Sequence, residues 1–233
     1  SHGSHWLNNK RDVSIVRRGY DLFHSIQYMA DIIRHLPQMR GYDVVQVTNP
    51  VFFDLRPEKN WAIFKYLKKH NKKIFLDALA IDHYYVKACL DGKTFRYSDF
   101  FVGDRPLPHP EREKMLAAWI GGPNERPNIE MAQEANGIIA CLYEYYAAYQ
   151  PEYADKLAYI PIPIDLSINP FHPIKSTPEV VKFFIGIQQH RTAIKGTDIL
   201  LDVLREIHDK YPRESHIQKV VSVPFDEYNK LLV

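Results

Sequence analysis

From Tyr20 to Gln38 apolar residues recur at helical spacing, with Leu22, Phe23, Ile26, Met29, Ile33 and Leu36 on successive turns. This pattern predicts an amphipathic helix. Asp43-Val44-Val45-Gln46-Val47 then reads as a short strand, broken by Thr48-Asn49-Pro50. Pro57 marks the start of a helix running to about His70, with Trp61, Phe64, Tyr66 and Leu67 as its apolar positions. Lys73 to Ala78 is the next strand. Helix and short strand in alternation is the rhythm of a doubly wound α/β sheet. Residues 91–128 break it. They hold Pro106, Pro108, Pro110, Pro123 and Pro127 with one helix near 111–119, and read as an insertion over the sheet edge or a lid. The sheet resumes at 137–141, and Tyr143 to Tyr149 form an aromatic helix. Pro161 to Pro178 contains five prolines and no helical period, which reads as an interdomain linker. Beyond it come a strand, a helix over 196–210, a strand over 217–222 and a helix starting near Pro224.

The segment after the linker has the clearest chemistry. Val180 to Ile185 is an apolar run ending at Gly186, as in a buried parallel strand. A loop follows with two cations, Arg191 and Lys195. Lys195-Gly196-Thr197-Asp198 then opens a helix with Ile199, Leu200, Val203, Leu204 and Ile207 on one side. Free N–H groups at a helix N-terminus attract anions. An Arg fork and a Lys point charge beside them suit phosphate oxygens. The plainer alternative is an ordinary helix start with solvent-facing cations, although cations there are unfavourable without an anion.

This stretch resembles the start of the C-terminal domain in group 1 (family 4) glycosyltransferases, which are retaining, use nucleotide sugars and have the GT-B fold. Asn136 to Cys141 is similar to a late strand of their N-terminal domain, and Ala158 to Asp165 to their interdomain crossing. The resemblance implies an α/β fold of two Rossmann-like domains. The N-terminal, acceptor-side domain would span 1–162, nearly complete but lacking its first strand. A linker at 163–178 and a partial nucleotide-sugar-binding domain at 179–233 would follow. It also implies that Gly186, Arg191, Lys195 and Gly196 hold the donor diphosphate. The loop after strand 73–78, with Asp82 and His83, falls where the family places polar residues near the sugars. This makes both candidates for acceptor binding or proton transfer; the alternative is a helix cap and a surface histidine. Thr48 and Asn49 would line the acceptor side, or simply form a turn.

Two departures from the family pattern stand out. There is no opening strand with a Gly-rich turn, and no late acidic motif for donor sugar and ribose. Two domains of typical size would need on the order of 300 to 400 residues, so the 233 residues are expected to be an incomplete chain. The expected activity is metal-independent transfer of a hexose to a glycan or lipid-linked glycan, with no cofactor besides the nucleotide-sugar substrate. The alternatives are a catalytically inactive nucleotide- or glycan-binding fragment and a nucleotide-sugar epimerase.

Composition narrows this further. With 30 Lys and Arg against 28 Asp and Glu, the charge gives no reason to expect nucleic-acid binding. Arg17-Arg18 and the lysines at 65, 68, 69, 72 and 73 are local basic clusters. They read as solvated helix faces, or as attraction to an anionic membrane surface where lipid-linked acceptors sit. Cys89 and Cys141 look like buried thiols rather than a disulfide. No apolar run is long enough to span a bilayer, and no signal peptide is seen, so the expected location is cytoplasmic, at most peripheral to the membrane's inner face. The tyrosines at 143, 145, 146, 149 and 153 read as packing, with sugar stacking the alternative. A metal site at His2 and His5 is disfavoured for want of a third ligand.

Overall fold

The computed structural model describes residues 12–102, 104–106, 112–163, 173, 178–189, 192 and 195–231. The chain divides into two compact units, Ser1–Pro163 and Ile164–Val233.

In the first unit α1, Leu22–His35, begins at Asp21, whose side chain accepts from His24 N at 3.0 Å. A single 3-10 turn, Leu36–Met39, leads to β1, Val44–Val47. Then follow α2, Pro57–His70, and β2, Lys73–Ala78. Proline at the first turn suits α2, because that N–H has no helical partner anyway. Asn71 closes α2: its Nδ2 donates to the Leu67 and Met39 carbonyls and its Oδ1 accepts from Tyr42 N. The chain continues through α3, His83–Leu90, and a two-residue hairpin of β3, Phe101–Val102, with β4, Arg105–Pro106. The remaining elements are α4, Arg112–Trp119, α5, Glu125–Glu134, β5, Gly137–Ala140, α6, Tyr143–Tyr153, and β6, Leu157–Tyr159.

The sheet order is β1-β2-β5-β6, all parallel. Every crossover moves in the same direction, so right-handed connections place α2, α5 and α6 on one face. The burial pattern agrees: Val47, Ile74, Leu76, Ala78, Ile138 and Ala140 point into one core with Tyr28, Ile32, Phe64, Met131 and Tyr149. Alternation sends Val44, Gln46, Phe75, Asp77, Gly137 and Ile139 to the other face. That face is more open, with Val44 56% exposed. Gly137 belongs there because a Cβ would lie 2.6 Å from the Phe75 ring.

The stretch 91–128, expected to be an insertion over the sheet edge or a lid, is packed against α3 in its described part. Phe100, Met115 and Trp119 form a second buried cluster with Val86 and Cys89 of α3. Ala158 and Tyr159, expected in an interdomain crossing, are in β6 of the first sheet.

The second unit contains β7, Val181–Ile187, α7, Thr197–Lys210, β8, Ser215–Val221, and α8, Phe225–Leu231. β7 and β8 pair in parallel from Val181↔Ser215 to Ile187↔Val221. The apolar side expected of α7 is only partly covered: Leu204 is buried, while Ile199, Leu200 and Val203 are exposed. Two strands offer too little surface to bury a whole helix face. No helix among the described residues is long and apolar enough to cross a membrane.

Candidate functional site

The segment from β7 to α7 has the outline that its sequence suggests. Gly186 lies near the C-terminal end of β7, where a Cβ would come within 2.8 Å of the Tyr228 hydroxyl. Gly196 precedes α7 in the left-handed region, at φ 60°, which favours glycine. Thr197 is buried and its N–H donates to the Thr192 carbonyl at 2.9 Å. The next two N–H groups, of Asp198 and Ile199, have no acceptor within the helix. Gly196 provides no capping side chain. Lys195 is exposed beside this helix end. Arg191 lies outside the described residues. Asp198, in the first turn, is an acidic group already favourable at the positive helix end.

Asp82 and His83 are placed differently from the expectation of a polar loop open to substrate. Asp82 is fully buried and caps α3: Oδ1 accepts from Tyr85 N at 2.9 Å, and Oδ2 accepts from the Tyr149 hydroxyl at 2.7 Å. Burial raises its pKa to about 6, against hydrogen bonds that lower it. His83 is also buried. Its Nδ1–H donates to the Trp119 carbonyl at 2.9 Å, and its backbone N–H to Asn128 Oδ1 at 2.9 Å. Asn128 in turn donates to the Tyr149 hydroxyl at 3.3 Å. These residues tie α3, α5 and α6 together. Of the two readings, the helix cap fits Asp82, and His83 is a core histidine rather than a surface one.

Thr48 and Asn49 follow the C-terminal end of β1, the end at which open α/β sheets take ligands. Thr48 is exposed and lines a groove of about 370 Å3 with Val44, Gln46 and Phe52. Asn49 Oδ1 accepts from Val51 N at 2.8 Å, an ordinary turn. Its Nδ2 is buried without a partner among the described residues.

One group near that end escaped sequence reasoning. Asp77 is 5% exposed within β2, and both its oxygens accept from Gln46 Nε2, at 2.9 and 2.8 Å. Burial raises its pKa to about 6. A carboxyl titrating there can gain or lose a proton near neutral pH. The sequence shows a charged residue inside an apolar strand but not its partner, because the register sets Gln46 against Phe75, diagonal to Asp77 on the same face. Cys141, just past β5, is buried, and burial raises its thiol pKa. Cys89 is also free and buried, pushed up to about 11, so neither thiol is activated. The described residues contain no group of three or more His, Cys, Asp and Glu able to hold a metal.

The basic stretch at 65–73 is partly neutralised, since Lys68 pairs with Glu134 and Lys72 with Asp43. Among the tyrosines, Tyr149 and Tyr153 are core residues. Tyr143 is exposed and stacks against Tyr146 at 6.0 Å.

No protein-family model, no curated protein and no solved structure matches the chain.

Proposed function

We propose that the chain is part of a retaining glycosyltransferase that moves a hexose from a nucleotide diphosphate sugar to a glycan or lipid-linked glycan. On this reading the two units correspond to two Rossmann-like domains of GT-B type, the first nearly complete and the second partial. The observation that carries it is the β7–Gly196–α7 junction: a parallel strand, a left-handed glycine and, beside Lys195, two helix N–H groups with no acceptor within the helix. Breaking the sugar–phosphate bond leaves negative charge on the departing diphosphate. Lys195, Arg191 and the Asp198 and Ile199 N–H groups would stabilise that charge without a metal. Thr48 and Asn49 would face the acceptor. Asp82 and His83 are buried structural groups, and the catalytic role first considered for them is not part of this proposal.

The burial of Asp82 and His83 also favours a second reading. The chain would then bind nucleotide or glycan without turning it over. Transfer or hydrolysis assays with uridine and guanosine diphosphate hexoses test the first reading. Turnover that falls about 100-fold or more in an Arg191→Ala/Lys195→Ala variant supports it, and an unchanged rate in that variant refutes the phosphate role. Nucleotide binding without turnover supports the second reading.

A further inference from the structure

The first unit has a cationic cavity whose lining residues the proposed function does not use. The residues that precede α1 and α2 enclose a space of about 570 Å3, lined by Arg17, Arg56 and Lys59 with Ser25, Leu22 and Leu55. Because α2 follows β1, this space lies toward the strand C-termini, the end at which open α/β sheets take ligands.

Arg17 was expected on a solvated helix face or as part of a basic cluster facing an anionic membrane surface. It precedes α1 and is fixed in place. Its Nε donates to the Gly19 carbonyl at 3.0 Å, Nη1 to the Asp54 carbonyl at 2.7 Å and Nη2 to Ser25 Oγ at 2.7 Å. Two of its five N–H groups remain. The Asp54 carboxylate, 3.8 Å from Nε, offsets part of the Arg17 charge. Arg56 and Lys59 have no ion pair and no side-chain hydrogen bond among the described residues. Both stand at the start of α2, the positive end of that helix, where unpaired cations are unfavourable. Arg56 gives α2 no side-chain cap. The nearby acids do not remove this imbalance: Asp21 is paired with His24, and Glu58 is one charge in the same turn.

We propose that this cavity binds a phosphate group, carried either by a soluble small molecule or by a lipid headgroup. Arg56 and Lys59 supply the charge, and the remaining Arg17 N–H groups and the Ser25 hydroxyl donate to phosphate oxygens. Leu22 and Leu55 receive the adjoining apolar part of the ligand. The site belongs to the first unit and does not depend on the reading of the β7–α7 junction.

The test is an amide chemical-shift titration of the whole chain with inorganic pyrophosphate at low ionic strength, where screening is weak. The expected result is saturable shifts around residues 17–25 and 55–59. They should weaken by at least about tenfold in an Arg56→Gln/Lys59→Gln variant, since each position loses a charge-assisted contact. Both positions are exposed, and the circular dichroism spectrum should be unchanged. Shifts confined to 195–199, or equal affinity in the variant, overturn the proposal while leaving the donor site intact. Co-sedimentation with phosphatidylglycerol vesicles, against phosphatidylcholine vesicles, separates the sources. Vesicle binding that the variant loses, without a pyrophosphate response, assigns a lipid headgroup; a pyrophosphate response alone assigns a soluble ligand. A response to neither overturns the proposal.

Discussion

Asp77 and Asp82 show how one residue type does different work in one unit. Both are buried, and for both desolvation raises the pKa from 3.8 to about 6. The sign follows from linkage. Each folded-state pKa lies above the unfolded value, so their contribution to stability is fully present below about pH 4 and is lost as the pH rises through about 6. Asp82 is held by a helix N–H and a buried hydroxyl. Among the described residues, Asp77 is held by Gln46 alone, an exposed side chain. Asp77→Asn keeps an acceptor for Gln46 and removes the charge. The variant is expected to be more stable than the parent by up to about 3 kcal/mol near pH 8, with the gap closing toward pH 4. Urea denaturation at the two pH values measures this; a gap that does not vary with pH contradicts the assignment.

At the scale of elements, Asp82 is the anchor of α3. Asp82→Ala removes the cap and the acceptor of the buried Tyr149 hydroxyl proton, so stability should fall by about 2–4 kcal/mol. Thermal or urea unfolding checks it. A loss below about 0.5 kcal/mol would mean that the network carries little. The apolar runs of β1, β2 and β5 were legible because buried parallel strands have few ways to be written. α2 was legible from Pro57 and its periodic aromatics. Other elements were hidden for physical reasons. Pro127 looked like a breaker but lies in the first turn of α5, where proline costs no hydrogen bond. The start of α3 was read for its acid and histidine, with a helix cap as the alternative, and the buried bond from Tyr149 to Asp82 shows only in the fold because Tyr149 is 67 residues away. β6 is three residues long and was absorbed into the expected crossing. Of the candidate site, the Gly186 and Gly196 positions could be read from sequence because glycine marks backbone needs. The Asp77–Gln46 pair could not, since it depends on the register that sets β1 against β2.

Across the whole molecule, the two units differ in how much they bury. The first has a four-stranded sheet with a continuous core under α2, α5 and α6. The described residues of the second form one strand pair, and α7 keeps Ile199, Leu200 and Val203 exposed. The proposed function rests on the second unit, at the start of α7, so the direct measurement is made there. Calorimetric titration of the chain with uridine and guanosine diphosphates should show saturable binding of at least one. In the Arg191→Ala/Lys195→Ala variant that binding should weaken by about tenfold or more. Absence of binding to either nucleotide, or equal affinity in the variant, would contradict the account.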